Sequence, residues 1–594
     1  MPILRVPALA LALHLPLWLM PAATLADWLP NGTAVGETYY LEQWPFTAIA
    51  DGAGGVIVGW GSLDLRASRL TQAGDVAPGW PAGGARLQGY PHDAFYPLTV
   101  SDGDGGAYVV FNAQNCLAHC ALDPTELRAQ HVTAAGAIAD GWGTSGVSVG
   151  SGFGPDPKHT RDYGNTVAIP DAHGGVIVLW ASRVNRDGGG PVELRAQRID
   201  DSGALLWGAT GTLVRSMTRH PFLQAGVADG QGGAFVFWQD ERSRGLFAQH
   251  LSREGAARWT VDGIPIARPG FTSLSRPVAI TDGARGAIVA WVGAAARDSG
   301  IFATRVNAGG GLPWQEPVRV HAAPWGIDSL RMIPLPGGGA ILAWRDTRRA
   351  TGETIFAQRI GHDGKVRWTP GAVPVCVAPG HKDYLALAPD GGDGAFFAWG
   401  DTRPAGEVFA MHLDGDGAPV DEWVPDGSPV CAPLAAVWSV QLVADGSGGA
   451  IVVWTDDRVR LSEGFWLHTT RAMRLESHGP VTPPVTPGSS PVAACRAMPA
   501  QVPSGSSTFG LRGMRPNPGR RGSLVDLALA DAAPASLELF DAAGRRLWTR
   551  DVGGLGAGEH AIRIGDGAWL PPGLYLARLV QGERVSTAHL AIIR

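Results

Sequence analysis

Charge is scarce in this chain. Of its 594 residues only 17% are Asp, Glu, Lys or Arg, and the net charge at pH 7 is -6. No basic stripe with interleaved aromatics occurs, which excludes nucleic acid as a partner. Cysteine is scarcer still: five residues are too few to frame an exported fold of this length with disulfides. Past the N-terminus no run reaches the ~18 apolar residues of a membrane-spanning helix, so no integral membrane segment is expected once a leader is removed. There is no G-x-S-x-G elbow for a serine nucleophile. There is also no complete D-x-[DN]-x-[DN]-G-x5-E loop, so Asp102 with Asp104 and Asp414 with Asp416 read as tight turns and not as calcium ligands. The sequence implies no metal and no cofactor. What it holds in quantity is glycine (83) and proline (45) beside 45% hydrophobic residues, a turn-rich chain with enough apolar material for a large core.

Arg5, the apolar run from Val6 to Met20 and the small residues up to Ala26 read as a secretory signal peptide, residues 1–26, cleaved after Ala26. An exported location, secreted or attached to the outer cell surface, follows. Cys116 and Cys120 sit close together in an insertion and are expected to form a local disulfide; zinc would need more ligands than that loop offers beyond His119. Cys376 and Cys431 occupy equivalent places in WTPGAVPVC and WVPDGSPVC and read as buried strand residues, while Cys495 lies in a linker.

The organising feature is a repeat. DGSGGAIVVW, ending at Trp454, has seven upstream relatives ending at Trp60, Phe111, Trp180, Trp238, Trp291, Trp344 and Trp399. The Asp-Gly or Gly-Gly pair supplies a hairpin turn, and the apolar run behind it is strand length, with both faces buried. A second signature follows each time, from LRASRL ending at Leu70 to TRAMRL ending at Leu475, always with Ala third and Arg or His fifth. Period 2 places those two on one face, where a small residue admits close packing and a cation can stack or pair. A third signature is a Trp, a Gly turn and a short strand, as in WTVDGIPI from Trp259. It follows seven of the eight repeats, and the missing copy, WLPNGTAV from Trp28, stands at the other end of the chain. Ring closure accounts for this: the N-terminal strand completes the last sheet and leaves no edge unpaired. The predicted fold is all-β, an eight-bladed β-propeller over residues 27–475, followed by a further β domain.

The order of hairpin, strand, Gly turn and Trp, as in RIDDSGALLWG from Arg198 to Gly208, resembles the repeats of quinoprotein-like eight-bladed propellers. The resemblance implies a fold and not an activity; the adjacent cysteine pair found in many quinone-dependent alcohol dehydrogenases is absent.

Residues 476–508 turn to Pro, Ser and Thr, a linker. From 509 to 594, SLVDLAL, SLELFDAAGRRLW, GLGAGEHAIRI, LPPGLYLARLV and STAHLAIIR alternate between turns, which indicates a compact β-sandwich. Pro516, Asn517 and Pro518, then Phe540, Asp541, Gly544 and Arg545, then Gly558 and His560, then Gly573, Leu574 and Tyr575, and finally Arg594, resemble the C-terminal sorting domain of type IX secretion substrates, related to the Ig-like domain of hook-capping proteins. The resemblance implies an Ig-like sandwich recognised by the secretion machinery.

Two sets of candidate site residues stand out. W-x-D-x-R recurs as Trp238, Asp240 and Arg242; Trp344, Asp346 and Arg348; Trp399, Asp401 and Arg403; Trp454, Asp456 and Arg458. These form either a ring of charges able to hold a polar ligand, or turns in which Asp caps and Arg pairs with it; turn chemistry explains the Asp without any ligand. The connections between blades are less repetitive. They bring together His92, Asp93 and Tyr96; His159, Asp162 and Tyr163; and His381, Asp383 and Tyr384, with RHPF at Arg219 to Phe222 a further His beside an aromatic. In a propeller these connections share a face with the W-x-D-x-R turns, a polar, aromatic funnel suited to sugars or peptide side chains. No catalytic residue is assigned. The expected function is binding of a glycan or protein ligand; the alternatives are a polysaccharide hydrolase or lyase, since paired carboxylates are invisible in sequence, and an envelope scaffold.

Overall fold

The computed structural model describes residues 28–480 and 510–592, apart from 29–31, 39–45, 62–64, 89–91, 116–124, 154–165, 184–190, 218–223, 241–244, 268–272, 275–276, 295–298, 324–325, 349–351, 404–406, 421, 432–436, 461–465, 478, 516–523, 532, 542–544, 557, 564–572 and 583. Cys116 and Cys120 lie outside the described residues. The chain divides into two compact units, Met1–Arg496 and Ala497–Arg594. Among the described residues both are all-β, with one short 3-10 turn, Gly553–Leu555, and no helix long and apolar enough to cross a membrane.

The first unit is a series of antiparallel sheets, eight among the described residues, six of four strands and two, the fifth and the eighth, with a short additional strand. The first is typical: Thr47–Ala50, Val56–Gly61, Leu65–Leu70 and Ala85–Gln88, each strand paired with the next. The others follow at residues 92–153, 167–217, 224–265, 273–322, 327–376 and 382–431. The eighth combines Val437–Ala444, Ala450–Arg460 and Trp466–Glu476 with Thr33–Thr38 from the far end of the sequence. Thr33 pairs with Ala472 and Thr38 with His468. The leading strands of successive sheets pack side by side, and that of the eighth packs against that of the first. As the unbroken apolar runs anticipate, the apolar runs of the second strands are buried, and Val56–Gly61 and Ala395–Asp401 are buried at every position.

In seven of the eight sheets the hairpin is held from within by its aspartate; the sixth has none, and its Arg359 pairs instead with Asp393. Asp51 accepts the amides of Ala53 (2.8 Å) and Gly55 (2.7 Å) on Oδ1, and Arg69 Nε on Oδ2 (2.9 Å). Gly55 has to be glycine, since a Cβ there would lie 2.1 Å from the Leu70 carbonyl. The same clasp joins Asp102 to His131, Asp171 to Arg198, Asp229 to His250, Asp282 to Arg305, Asp390 to His412 and Asp445 to Arg474. In those seven sheets the fifth-position Arg or His of the second signature is therefore a turn lock. Its cross-strand neighbour changes with it. Tyr108, Phe235 and Phe396 stack on the three histidines at 4.3, 4.5 and 4.1 Å, whereas Ile57, Ile177, Ile288, Ile341 and Ile451 stand opposite arginines. A flat imidazole gains from stacking and a long guanidinium stem from an aliphatic neighbour.

Burial pushes the carboxyls of Asp102, Asp171, Asp229, Asp390 and Asp445 up. Hydrogen bonds from their turn amides and their Arg or His partners more than offset this, so each lies below the ordinary carboxylate value. A carboxyl depressed in the folded state contributes stability that is fully present above its unfolded pKa, about 3.9, and lost as pH falls through the folded one. The urea midpoint is expected to drop steeply below about pH 4, and Asp171→Asn to make that drop shallower; an unchanged slope in the variant would contradict the assignment.

The third signature joins neighbouring sheets. Trp80 Nε1 donates to the Ala134 carbonyl (2.9 Å) in the next sheet, and its ring packs on the turn glycine Gly136, where a Cβ would lie 3.0 Å away. Trp142, Trp207, Trp259, Trp314, Trp368 and Trp423 repeat the donation to Asp201, Arg253, Ala308, His362, Gly415 and Ser477. Trp28, buried beside the eighth sheet's outer strand, donates to Gln72 of the first sheet (3.0 Å). The last seam is thereby made like the others.

The second unit has two antiparallel sheets, Gly510–Arg515, Leu524–Leu529 and Gly558–Arg563 in one, and Arg546–Asp551, Ala535–Asp541, Gly573–Gln581 and Arg584–Ile592 in the other. Val525, Leu527 and Ile562 from the first share a core with Leu537, Leu539, Tyr575, Leu579 and Leu590 from the second. Glu538 takes Arg546 and Arg578, and Arg578 also lies over Phe540 at 4.9 Å. Pro516–Pro518, Gly544 and Arg594 lie outside the described residues.

Candidate functional site

Among the described residues, two of the stretches expected as inter-sheet connections, PHDAFY and HKDY, run into the leading strands. His92 and Asp93 open His92–Ser101, opposite Asn115 and Gln114, and Lys382–Pro389 contains Asp383 and Tyr384. Of the W-x-D aspartates, Asp240, Asp346 and Asp401 end their strands, Asp346 and Asp401 each accepting the amide two residues on, and Asp456 and Arg458 lie within Ala450–Arg460. Antiparallel register then brings the two sets together. Lys382 pairs with Asp401 and Asp383 with Gly400; Ile327 pairs with Asp346 and Val437 with Asp456. His159, Asp162, Tyr163 and Arg242 lie outside the described residues.

At this end several leading strands carry extra residues. The register shifts between Phe95 and Leu98, Asp328 and Arg331, and Asp383 and Ala386, and within these shifts Tyr96, Ser329 and Tyr384 adopt φ of 53°, 53° and 57°. Left-handed backbone is costly for a tyrosine. Here it accompanies a ring that is 40% exposed at Tyr384. In the eighth sheet the shift between Val437 and Ser439 holds Trp438, 36% exposed. Val437 and Tyr384 meet over Gly400, where a Cβ would lie 3.5 Å from one and 3.7 Å from the other.

Beside Tyr384 is a charge network spanning the sixth and seventh sheets. Arg345 binds Asp328 with two parallel hydrogen bonds (Nε to Oδ1 2.6 Å, Nη2 to Oδ2 2.9 Å). Its Nη1 reaches Asp383 Oδ1 (2.6 Å), the Lys382 carbonyl (2.8 Å) and Glu353 Oε2 (3.1 Å). The hydrogen bonds to Asp328 and the surrounding carboxylate charge raise the Arg345 pKa above its ordinary value. Glu353 also accepts the Lys382 amide (2.8 Å), and the exposed His381 lies 3.4 Å from its other oxygen. Burial and the Asp383 charge raise the Tyr384 hydroxyl.

Beneath this layer Lys382 is wholly buried. Its ammonium donates to the carbonyls of Ala378 (2.7 Å) and Gly380 (3.1 Å) and lies 3.7 Å from Asp401 Oδ2. Asp401 also accepts Trp399 Nε1 (3.1 Å), Arg403 Nε (2.8 Å) and the Arg403 amide (3.0 Å). Arg403 stacks on Phe409 at 4.7 Å and reaches Cys376, a free thiol that burial pushes up to about 11. Asp346 and Arg348 form a forked pair, and Asp456 accepts Trp454 Nε1 (2.9 Å). At Asp346 and Asp401 the Arg two residues on is the carboxylate's partner.

In the sixth sheet, however, Arg348 draws Asp346 to itself, and Trp344 Nε1 and Thr354 Oγ1 are buried without a hydrogen bond. His321 of the fifth sheet packs on Trp344 (4.9 Å), and both its ring nitrogens are likewise buried and unbonded. Burial and the Arg348 charge hold its pKa below the ordinary value, against the pull of Asp346. A histidine depressed in the folded state costs stability once the unfolded chain takes up protons that the folded one refuses. Stability is therefore expected to fall as pH drops below about 6.5. Urea titrations at pH 8 and pH 5.5 measure this, and His321→Phe should shrink the difference; an equal difference in the variant would rule the residue out.

Arg345, Lys382, Asp328, Glu353 and Trp438 were not among the residues the sequence singled out. For Arg345 a signal existed. The position after the repeated aromatic is Gly61, Asn112, Ala181, Gln239, Val292, Gly400 or Thr455 elsewhere, and carries a charge only here. Among the described residues no group of three His, Cys, Asp or Glu is placed to hold a metal ion.

No protein-family model matches the chain, and no curated protein does. Among solved structures the chain is similar to an ulvan lyase of a polysaccharide lyase family bound to -[GlcA(1-4)Rha3S]-, at 11% identity over 69% of this chain and 98% of that one, with a TM-score of 0.38. It is also similar to a protein of unknown function from Dyadobacter fermentans (10% identity, 65% and 96% of the two chains, TM-score 0.32) and to an endo-arabinase from Bacteroides thetaiotaomicron (11%, 45% and 96%, TM-score 0.26).

Proposed function

We propose that the chain is an exported eight-bladed β-propeller that binds a glycan, carried to the outer cell surface by an Ig-like C-terminal sorting domain. The propeller reading is supported by the four-stranded sheets, the seams of identical chemistry between them and the strand from the N-terminus that completes the last sheet. Export is supported by the leader-like residues 1–26 and by the type IX resemblance in residues 509–594. The observation that carries the binding role is the Tyr384 ring, solvent-exposed on strained backbone beside charges fixed by Arg345. An exposed aromatic next to fixed polar groups is the combination a sugar ring needs, an apolar face to stack on and partners for its hydroxyls.

Passing the purified protein over a panel of immobilised glycans tests this. Retention without product, lost in Tyr384→Ala, is the expected result. Release of shortened or unsaturated sugars would instead favour the hydrolase or lyase reading, and retention of none of the glycans would remove the carbohydrate role.

A further inference from the structure

We infer that the seam between the fifth and sixth sheets is a built site for a small neutral guest that both donates and accepts hydrogen bonds, and that this guest is water. Four buried polar atoms carry the inference: Trp344 Nε1, Thr354 Oγ1 and both ring nitrogens of His321, none of which has a hydrogen-bond partner among the described residues. Trp344 and Thr354 are 0% and 1% exposed. The four atoms belong to one place. Phe356 and Thr354 stand opposite Trp344 and Asp346 in the antiparallel register, which puts these side chains on one face of the sixth sheet. The His321 ring of the fifth sheet packs on that face, 4.9 Å from Trp344 and 6.3 Å from Phe356. Arg345, between Trp344 and Asp346, is turned the other way, to Asp383. The guest thus sits behind the strand end that holds Arg345.

The sixth sheet differs from its neighbours for a definable reason. In the seventh and eighth sheets the aspartate two residues on satisfies the indole, Asp401 accepting from Trp399 at 3.1 Å and Asp456 from Trp454 at 2.9 Å. In five sheets a glycine leaves room for the ring: a Cβ at Gly84, Gly211, Gly263, Gly427 or Gly32 would lie 2.5 to 2.7 Å from it. The equivalent residue in the sixth is Ala372, at φ 81°, directly before Val373, which pairs with Ala357 as Ser428 does with Ala410. Its methyl packs into the core that contains Trp344, so this indole cannot settle as the others do. Asp346 is meanwhile held by Arg348. The donor set then identifies the guest. Trp344 Nε1 only donates, whereas a neutral imidazole, the form that burial and the Arg348 charge favour at His321, donates from one nitrogen and accepts at the other. The guest has to accept from the indole and give to the imidazole, with Thr354 able to do either. A metal ion cannot accept from the indole, and an anion has no proton for the imidazole. Water does both, and about three partners is the number that a buried water takes.

Thr354→Val in the full chain tests this, because it exchanges the hydroxyl for a methyl of nearly the same shape. Removing a buried hydroxyl that has no partner raises the urea midpoint, whereas removing one that is bonded to water leaves the water short of a partner and lowers it. A lower midpoint is the expected result. A crystal structure of the unaltered chain supplies the second measurement: a solvent peak is expected roughly 2.7–3.2 Å from Trp344 Nε1, Thr354 Oγ1 and one His321 nitrogen. A raised or unchanged midpoint in Thr354→Val overturns the inference. So does a crystal structure in which these side chains bond one another with no solvent peak between them, or one in which the peak has the anomalous signal or coordination of an ion.

Discussion

Trp28→Ala will destabilise the first unit by about 3–5 kcal/mol, the range for removing a buried tryptophan. The indole is 5% exposed, packs on Gly74, where a Cβ would lie 3.0 Å away, and donates to the Gln72 carbonyl. Trp207→Ala removes an equivalent contact and should cost a similar amount, but the two variants are expected to fail differently. The strand after Trp207, Thr212–Met217, is tied along the chain to its own sheet before it and to the next sheet after it. The strand after Trp28 comes to the eighth sheet from the far end of the sequence, held there by its pairing with Trp466–Glu476 and by Val35 in the core beside Ile451 and Val453. Loosening it exposes an unpaired strand edge, which seeks another edge. Trp28→Ala should therefore show concentration-dependent self-association below its urea midpoint, measurable by sedimentation, while Trp207→Ala stays monomeric. Identical behaviour of the two would mean that closure at the ends of the chain contributes nothing special.

The second large effect is expected at the buried ion pair. Asp401→Asn leaves the Lys382 ammonium wholly buried with only the carbonyls of Ala378 and Gly380, and should cost about 3–5 kcal/mol, as removal of one member of a buried pair does. Lys382→Met should cost less, because Asp401 keeps two hydrogen bonds from Arg403 and one from Trp399. The double variant should be more stable than Asp401→Asn alone, since the stranded charge has gone. Urea titration of the three proteins decides it; if Lys382→Met proved the costlier change, the ammonium would be supported by groups other than those named.

Both effects arise from features of different legibility. The repeat, the sheets and the outer strand from the N-terminus could be read from the chain because each rests on local chemistry: a turn that needs Asp and Gly, a run of apolar residues, a Trp followed by Gly. The missing Trp signature after Leu475 and its surplus at Trp28 pointed directly to the pairing of Thr33–Thr38 with Trp466–Glu476. The partner of the fifth-position Arg or His was less visible, since the turn aspartate lies far back in the chain, 27 residues in the case of Asp171 and Arg198. The site was legible only in part. Asp383 and Tyr384 stood out by composition, but Arg345 and Asp328 come from the preceding sheet, and only the register shifts of the leading strands show that they meet. Lys382 carried no warning of its burial, because a lysine beside histidine and aspartate looks like an exposed one.

One feature of the seams bears on how such a chain can change. Each indole seeks a main-chain oxygen in its neighbour, and every amino acid offers one. A unit therefore makes no demand on the identity of the residue whose oxygen it takes; what it does require of its neighbour is the turn glycine under the indole, as at Gly136, Gly255 and Gly417, and around these the sequence is free to drift. Modules of this kind can be duplicated, reordered or replaced while the joints between them still fit. An unusual residue such as Arg345 can thus arise in one copy and leave the other seven as they were.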